Sequence, residues 1–587
     1  MKMQTKWDLS VLYRSPSDPK IIRDVKRIES AYKSFAETYT KDKSYLSDAK
    51  KLLQALDSYE ELILLPSPTF YLFLFRDIDS GNKEAEAQEN KISHMLTKSA
   101  NEIVFFTLSL GKLSKEKQNS FLENPTLSKY RYFLQNIFEN STHDLSESEE
   151  KIVSLLAQPS YSMWVDGQEK LLSAQMVKFA GKDMPISEAM NKVKDLPVKN
   201  RRELWGKIRE ALKHISPFAE SEINAIVTRK KISDELRGYK KPYSATILGY
   251  QNKEDEIENL VASVTRAFPI SHKFFNLKKK MLGLPYLAYE DRNAPVGKNS
   301  KKIDFKETVN IVHSAFAKAD KKYADILDKF LQKGQVDVFP KKGKKGGAYC
   351  ASMENTPTFV MLNHSDNLDS VSTLGHEMGH AIHAELSKAQ PPIYRGHTIS
   401  VAEVASTLFE NFVFDEIFEK LSEKEKIVAL HNKIEDDIQT IFRQIAVFNF
   451  ENELHETIRD RGGMSKEDIA GLMNKHMKSY LGSAFKLQPD DGYFFVAWSH
   501  IRRFFYVYSY AYGQIVSRAL YAKYKQNKNY LKKIEEFLKA GGSKSPEAIF
   551  RDIGIDTSDP KFFEAGLKNI ETDIERLEKM LKNAKKS

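Results

Sequence analysis

Cysteine, glycine, proline and long apolar runs are all scarce in this chain, and each shortage excludes something. A single cysteine, Cys350, occurs in 587 residues, so no disulfide can form within the chain. The first residues, MKMQTKWDLSVLYR, hold no apolar stretch of signal-peptide length, and a cytoplasmic location is expected. The most apolar stretch, Leu62 to Phe75, is interrupted by Pro66 and Pro68 and falls short of the roughly 20 residues that cross a bilayer. It reads as a pair of buried helices, and no membrane partner is expected. The 26 glycines and 20 prolines make up about 8% of the chain, against roughly 12% in average usage. With Lys, Glu, Leu, Ala and Phe abundant, this composition predicts a mainly α protein.

What is present begins with charge. Lys and Arg number 90 against 80 Asp and Glu, a formal charge of +10, yet the two signs are interleaved, as in KKIEEFLKAGG. That pattern reads as a solvated surface, and no nucleic-acid partner is expected. One basic knot stands apart, Lys341, Lys342, Lys344 and Lys345. A solvated loop is its plain reading, and guidance of an anionic substrate end the sharper one.

Apolar residues three and four apart predict helices over Ile21 to Tyr39 and Ala85 to Leu110. Breakers gather over Gly181 to Asn200, which reads as a connection or irregular excursion and places a boundary near residue 200. Asp337 to Met361 differs again, with KKGKKGGAYC between short β-branched and aromatic runs; small hairpin-like strands are expected there.

Directly after it, Asn and Asp residues able to cap a helix precede an apolar stripe of Val371, Leu374, Met378 and Ile382. On this helix stands His376-Glu377-Met378-Gly379-His380. Histidines at i and i+4 project from one face and can share a metal ion, and the glutamate between them can reach a water on that ion. Two surface histidines one turn apart are the plain alternative. After Pro391-Pro392 a further helix, ISVAEVASTLFENF, carries Glu403. Ser400 and Glu403 also fit a capping box, so ligand and cap compete for the same carboxylate.

HEMGHAIH followed by AEVAST and ENF resembles the active-site block of the oligoendopeptidase F branch of the thimet-oligopeptidase family of zinc peptidases. WDLSVLY, KKGKKGGAYC, GGSKSPEAIFRDIGID and PKFFEAGL extend the resemblance over nearly the whole chain. It implies a large multi-helical zincin-type metallopeptidase with a small β-sheet at the active site and a deep substrate channel. Residues 1–200 would form a helical N-terminal domain and residues 201–587 the catalytic domain. The resemblance further implies one Zn²⁺ held by His376, His380 and Glu403, with Glu377 as the catalytic glutamate. Glu410, seven residues after Glu403, is placed to orient a ligand imidazole, and His383 lies behind the ligands or in the core. By ligand chemistry cobalt or manganese could take the same three donors.

Between Tyr493 and Tyr512 ten of twenty residues are aromatic, against 11% for the chain. Such density usually marks core, but Tyr506 and Tyr510 share one helical face and Tyr508 and Tyr512 another, so one pair can pack while the other faces a cleft. His500 with FYVYSYAYG resembles the family segment that contacts substrate and oxyanion, and the match assigns His500, Tyr506 and Tyr510. Gly347, Ala348 and Tyr349 are expected at an edge strand where an extended peptide can pair. The expected activity is endopeptidase action on short, unstructured oligopeptides by a monomer or weak homo-oligomer.

Overall fold

The computed structural model describes residues 3–297 and 302–584, and helices make up most of them. The chain forms two compact units, each assembled from three separate stretches. The first comprises Met1–Lys151, Lys301–Glu419 and Leu520–Ile553, and the second Ile152–Ser300, Lys420–Ala519 and Gly554–Ser587. Five helices and five strands position the side chains at issue: α1 (Val198–Leu236), α2 (Leu368–Ser387), α3 (Ile399–Glu419), α4 (Gln444–Arg461) and α5 (Tyr508–Gln526), with β1 (Met176–Phe179), β2 (Lys182–Pro185), β3 (Val336–Asp337), β4 (Tyr349–Ala351) and β5 (Phe359–Met361).

In the first unit, the apolar stretch near residue 62 is indeed two helices. One ends at Ile63, and the other starts at Pro68, where a missing N–H costs nothing; Tyr71, Leu72 and Leu74 are fully buried. The run predicted over Ala85 to Leu110 is broken into Lys83–Asn101 and Val104–Gly111. The break lets Ile103 turn into a core of Phe35, Leu52, Phe106 and Leu134.

A second apolar cluster, with Trp7, Tyr71, Phe359 and Met361, lies against a three-stranded sheet of order β3-β5-β4. β5 pairs parallel with β3 and antiparallel with β4, which leaves β4 as an edge. The Trp7 indole donates to the carbonyl of Val360 at 2.9 Å, and its backbone N–H donates to Asp337 at 3.2 Å. The early WDLSVLY block is thereby stitched to the sheet.

The basic knot is not simply a solvated loop. Lys341 and Lys342 are exposed, but the side chain of Lys344 is fully buried, its Nζ 2.6 Å from the buried carboxylate of Asp337. Lys344 also donates to the carbonyls of Phe339 and Leu362. A buried carboxylate requires such a partner, and the sequence around the lysines does not reveal it. Lys345 pairs with Asp77 at 3.2 Å, and the Asn363 amide donates to the carbonyls of Lys345 and Gly347.

In the second unit, the region read as an irregular connection opens on the turn and second strand of a regular hairpin, β1 with β2, and continues into a short helix, Ile186–Lys192. Ala180 and Gly181 both take positive φ, 50° and 78°, as a two-residue turn of the hairpin type demands. α1 runs 39 residues with Pro217 inside it. Among the described residues no helix is long and apolar enough to cross a membrane.

Candidate metal centre

α2 begins where the sequence places a cap. The Asn367 side chain accepts from the Ser370 N–H at 2.9 Å, and Asp369 stands in the first turn, where an acid suits the helix dipole. Two glycines on α2 set how closely α3 can approach. A Cβ on Gly379 would lie 2.8 Å from the Cα of Ser406 and 3.0 Å from Cβ of Phe409, and one on Gly375 would lie 2.8 Å from Val413. The pairing of 375 with 413 and of 379 with 406 makes the two helices antiparallel. Backbone contact this close is what carries side chains of α3 onto the histidines of α2.

Donor atoms of His376, His380 and Glu403 all lie within 4.8 Å of one another. The two imidazole centroids are 5.1 Å apart, and His376 Nε2 is 3.8 Å from Glu403 Oε2. On the other side of the same ring, Nδ1 is 3.3 Å from Glu410 Oε2. The capping-box reading of Glu403 is corrected here: α3 already includes Ser400, whose hydroxyl lies 3.1 Å from that of Thr398. The Glu403 carboxylate instead turns toward His376, with Ser406 Oγ at 3.4 Å.

The electrostatics are those of crowded acids around two imidazoles. Burial raises Glu403 above the ordinary carboxylate range, with His376 and Ser406 pulling it back. Burial likewise lifts Glu377 to about 7; His376 and the backbone N–H of Cys350 on β4 pull it down, while Glu403 and Glu410 push it up. Burial depresses His376, but the Glu410 hydrogen bond and the charges of Glu377, Glu410 and Glu403 outweigh it and leave it at about 9. His380 is lowered by burial, with His376 and His397 adding to the effect. Two imidazoles and a carboxylate within reach of one point, with Glu410 behind the Nδ1 of one ring, fit the donor set and outer support of a zinc site.

His383 sits in the core. It is fully buried, neither ring nitrogen has a hydrogen-bond partner among the described residues, and its ring stacks on His397 at 3.9 Å and 15° and packs on Phe537. His397 is a neighbour that sequence reasoning missed, because only the fold brings it beside α2. Burial lowers it to about 4. The GG of the late block, Gly541-Gly542, packs on the same loop. The Gly542 N–H donates to Tyr394 O at 2.8 Å, and a Cβ on Gly541 would meet that oxygen at 2.1 Å.

Gly347, at φ +81°, forms a turn just before β4; Ala348 follows, and Tyr349 opens the strand. The Tyr349 ring is edge-on to Trp7 and close to Phe73, so its partly buried side chain packs against the apolar cluster of Trp7 and Phe359.

In the second unit His500, Tyr506 and Tyr510 cluster. The imidazole lies 5.3 and 5.9 Å from the two rings, and the Tyr510 hydroxyl is 3.3 Å from that of Tyr506. Burial lowers His500 to about 4, with Arg443 and Arg503 adding to it. Tyr508 and Tyr512 are the packed pair, fully buried and bonded to Asn252 at 3.0 Å and Glu256 at 2.9 Å.

Residues 198–569 match the family described as peptidase family M3, and residues 110–174 match the region described as oligopeptidase F. The chain is similar to oligopeptidase PepF of Bacillus subtilis, 25% identical over 100% of this chain and 89% of that protein. It is also similar to an oligoendopeptidase F homologue of Lactococcus lactis, 25% identical over 98% and 97%. In fold it is similar to the crystal structure of oligoendopeptidase F from Enterococcus faecium, with a TM-score of 0.72 over 96% of this chain and 98% of that one at 20% identity.

Proposed function

This chain belongs to peptidase family M3, and from that membership we propose that it is a zinc-dependent endopeptidase that hydrolyses internal bonds of short, unstructured oligopeptides in the cytoplasm. The observation that carries the reading is the convergence of His376, His380 and Glu403 within 4.8 Å, with Glu377 on the same helix turn. The names of the relatives, oligopeptidase and oligoendopeptidase, support the size class of the substrate.

His376, His380 and Glu403 would hold the ion, and Glu410 would fix the His376 ring. Zn²⁺ bound there supplies Lewis acidity and brings the ionisation of a water molecule to about pH 7. Glu377 accepts the proton of the attacking water and delivers it to the leaving amine nitrogen as the C–N bond breaks. His500 and Tyr506 or Tyr510 donate hydrogen bonds to the carbonyl oxygen as it gains charge.

The outer edge of β4, with the main chain of Gly347, Ala348 and Tyr349, pairs with the extended substrate. Small residues at 346–348 let its backbone come close. A division near residue 200 into a helical N-terminal part and a catalytic part belongs to the same proposal, and the start of the M3 match at residue 198 supports it. The partners are oligopeptides, with neither nucleic acid nor membrane involved, and the enzyme acts as a monomer or weak homo-oligomer.

A quenched peptide of about ten residues tests the reading, with chelator, with zinc restored, and with Glu377→Gln. The expected result is cleavage that chelator stops and zinc restores, and a loss of about 10²–10⁴-fold in kcat for Glu377→Gln with the metal retained. Equal turnover by that variant would overturn the mechanism, and chelator-resistant cleavage the metal.

A further inference from the structure

The segment Ser499–Val507 of the second unit carries His500 and Tyr506 and has an unfavourable backbone. Phe504 and Phe505 take φ of 47° and 62° in succession, a left-handed region that crowds any Cβ and that bulky side chains rarely adopt. Two such residues in a row persist only when their surroundings determine them.

The determinants are visible, and they converge on Arg502, between His500 and Tyr506. Its side chain is 5% exposed, and Nε and Nη2 donate to the two carboxylate oxygens of Glu222 on α1, each at 2.7 Å. Glu222 is fully buried. Nη1 donates to the carbonyls of Phe495 at 3.2 Å and Trp498 at 3.0 Å, upstream of His500. The carbonyl of Arg502 accepts from the Tyr161 hydroxyl and that of Phe504 from Thr246 Oγ1 at 2.9 Å. The N–H of Phe505 donates to Glu451 on α4 at 2.9 Å. One planar guanidinium thus ties the chain before His500 to a carboxylate on a helix 280 residues away in sequence, and its fork geometry serves the two oxygens of Glu222 at once.

We propose that Glu222 and Arg502 are positioning residues for the peptidase reaction, holding the strained Ser499–Val507 segment in the one conformation that presents His500 and Tyr506 to the substrate. The pair acts through those two side chains and touches no reacting atom, so the proposal rests on the roles given to His500 and Tyr506 above. Glu222→Gln keeps the size of the side chain but removes the charge that holds the fork. Arg502→Lys keeps a cation that cannot serve both carboxylate oxygens and both carbonyls.

The experiment measures kcat and KM on a quenched oligopeptide, zinc content and thermal midpoint for Glu222→Gln, Arg502→Lys, His500→Ala and the double variant Glu222→Gln/His500→Ala of the whole chain. The expected result is a fall in kcat of about 10–100-fold for Glu222→Gln, the scale on which small misplacements act, with KM within about twofold and zinc retained. The double variant is expected to lose less relative to His500→Ala than Glu222→Gln loses relative to the parent, because only Tyr506 is then left for the clamp to position. A Glu222→Gln enzyme with parental kcat, or an equal loss in both backgrounds, would overturn the proposal. Parental kcat in His500→Ala, which leaves the clamp intact, would instead overturn the role of His500, and the clamp's purpose with it. Should Glu222→Gln fail to fold, Glu222→Asp, with its charge kept and its arm shortened, must show the same fall in kcat with unchanged KM; parental kcat there would overturn the proposal as well.

Discussion

The carboxylate of Glu410 lies 3.3 Å from Nδ1 of His376, across the ring from the Nε2 that faces Glu403. It fixes both the orientation of the imidazole and which nitrogen is free to bind.

Glu410→Gln is therefore expected to weaken zinc binding about 10–100-fold while leaving the thermal midpoint of the metal-free chain within a few degrees of the parent. Competition against a chromophoric chelator measures it. Unchanged affinity would show that the His376 ring needs no such support.

Gly379 is the point of closest approach between α2 and α3. Gly379→Ala places a methyl 2.8 Å from the Cα of Ser406, an overpacking expected to cost about 1–3 kcal/mol and to reduce zinc retention by shifting Glu403. Gly471, inside the helix Lys466–Leu481, has nothing within 4 Å of its notional Cβ. Gly471→Ala should therefore stabilise the chain by about 0.5–1 kcal/mol. Thermal unfolding of the two variants side by side decides whether space, and not loss of glycine as such, sets the sign.

Lys344→Met strands the buried carboxylate of Asp337, whose remaining donor is the Trp7 N–H at 3.2 Å. A loss of about 3–5 kcal/mol in unfolding free energy is expected, whereas Lys341→Ala, on the exposed side of the same knot, stays within about 0.5 kcal/mol. Equal effects in denaturant titrations would return the whole knot to solvent.

Stability should fall with rising pH through Glu451. Burial lifts this carboxyl from 4.5 to about 8, against the pull of the Phe505 N–H and Lys230, so the folded chain holds the proton where the unfolded chain has lost it. Such a group contributes stability that is whole below the unfolded value and is lost as pH rises through the folded one. The thermal midpoint is expected to drop between about pH 4.5 and pH 8, and Glu451→Gln, which keeps an acceptor for Phe505, to flatten part of that drop. An identical slope in the variant would remove Glu451 as its source.

Much of this was legible in one dimension. The i, i+4 histidines share a helix face by periodicity, Glu410 sits two turns after Glu403, and the alternation of Tyr506, Tyr508, Tyr510 and Tyr512 separates a fully packed pair from one beside His500. Other features were not legible, because they depend on partners distant in sequence. Lys344 looked like its three neighbours until Asp337 was found under it. Glu403 also fits a capping box in sequence, and only the start of α3 before Ser400 separates the two roles. His397 and Glu222 carry no local signal at all, since a ring stack and a buried ion pair exist only once the chain has folded back.

The unit that holds α2 and α3 is completed from both ends of the chain. Trp7 is bonded to the sheet beside α2, Phe537 packs on His383, and Gly542 bonds to the loop before α3. During synthesis the HEMGH segment leaves the ribosome well before Phe537 and Gly542 exist, so its walls close only once residue 542 has been made. A nascent or truncated chain ending before residue 537 lacks that closure.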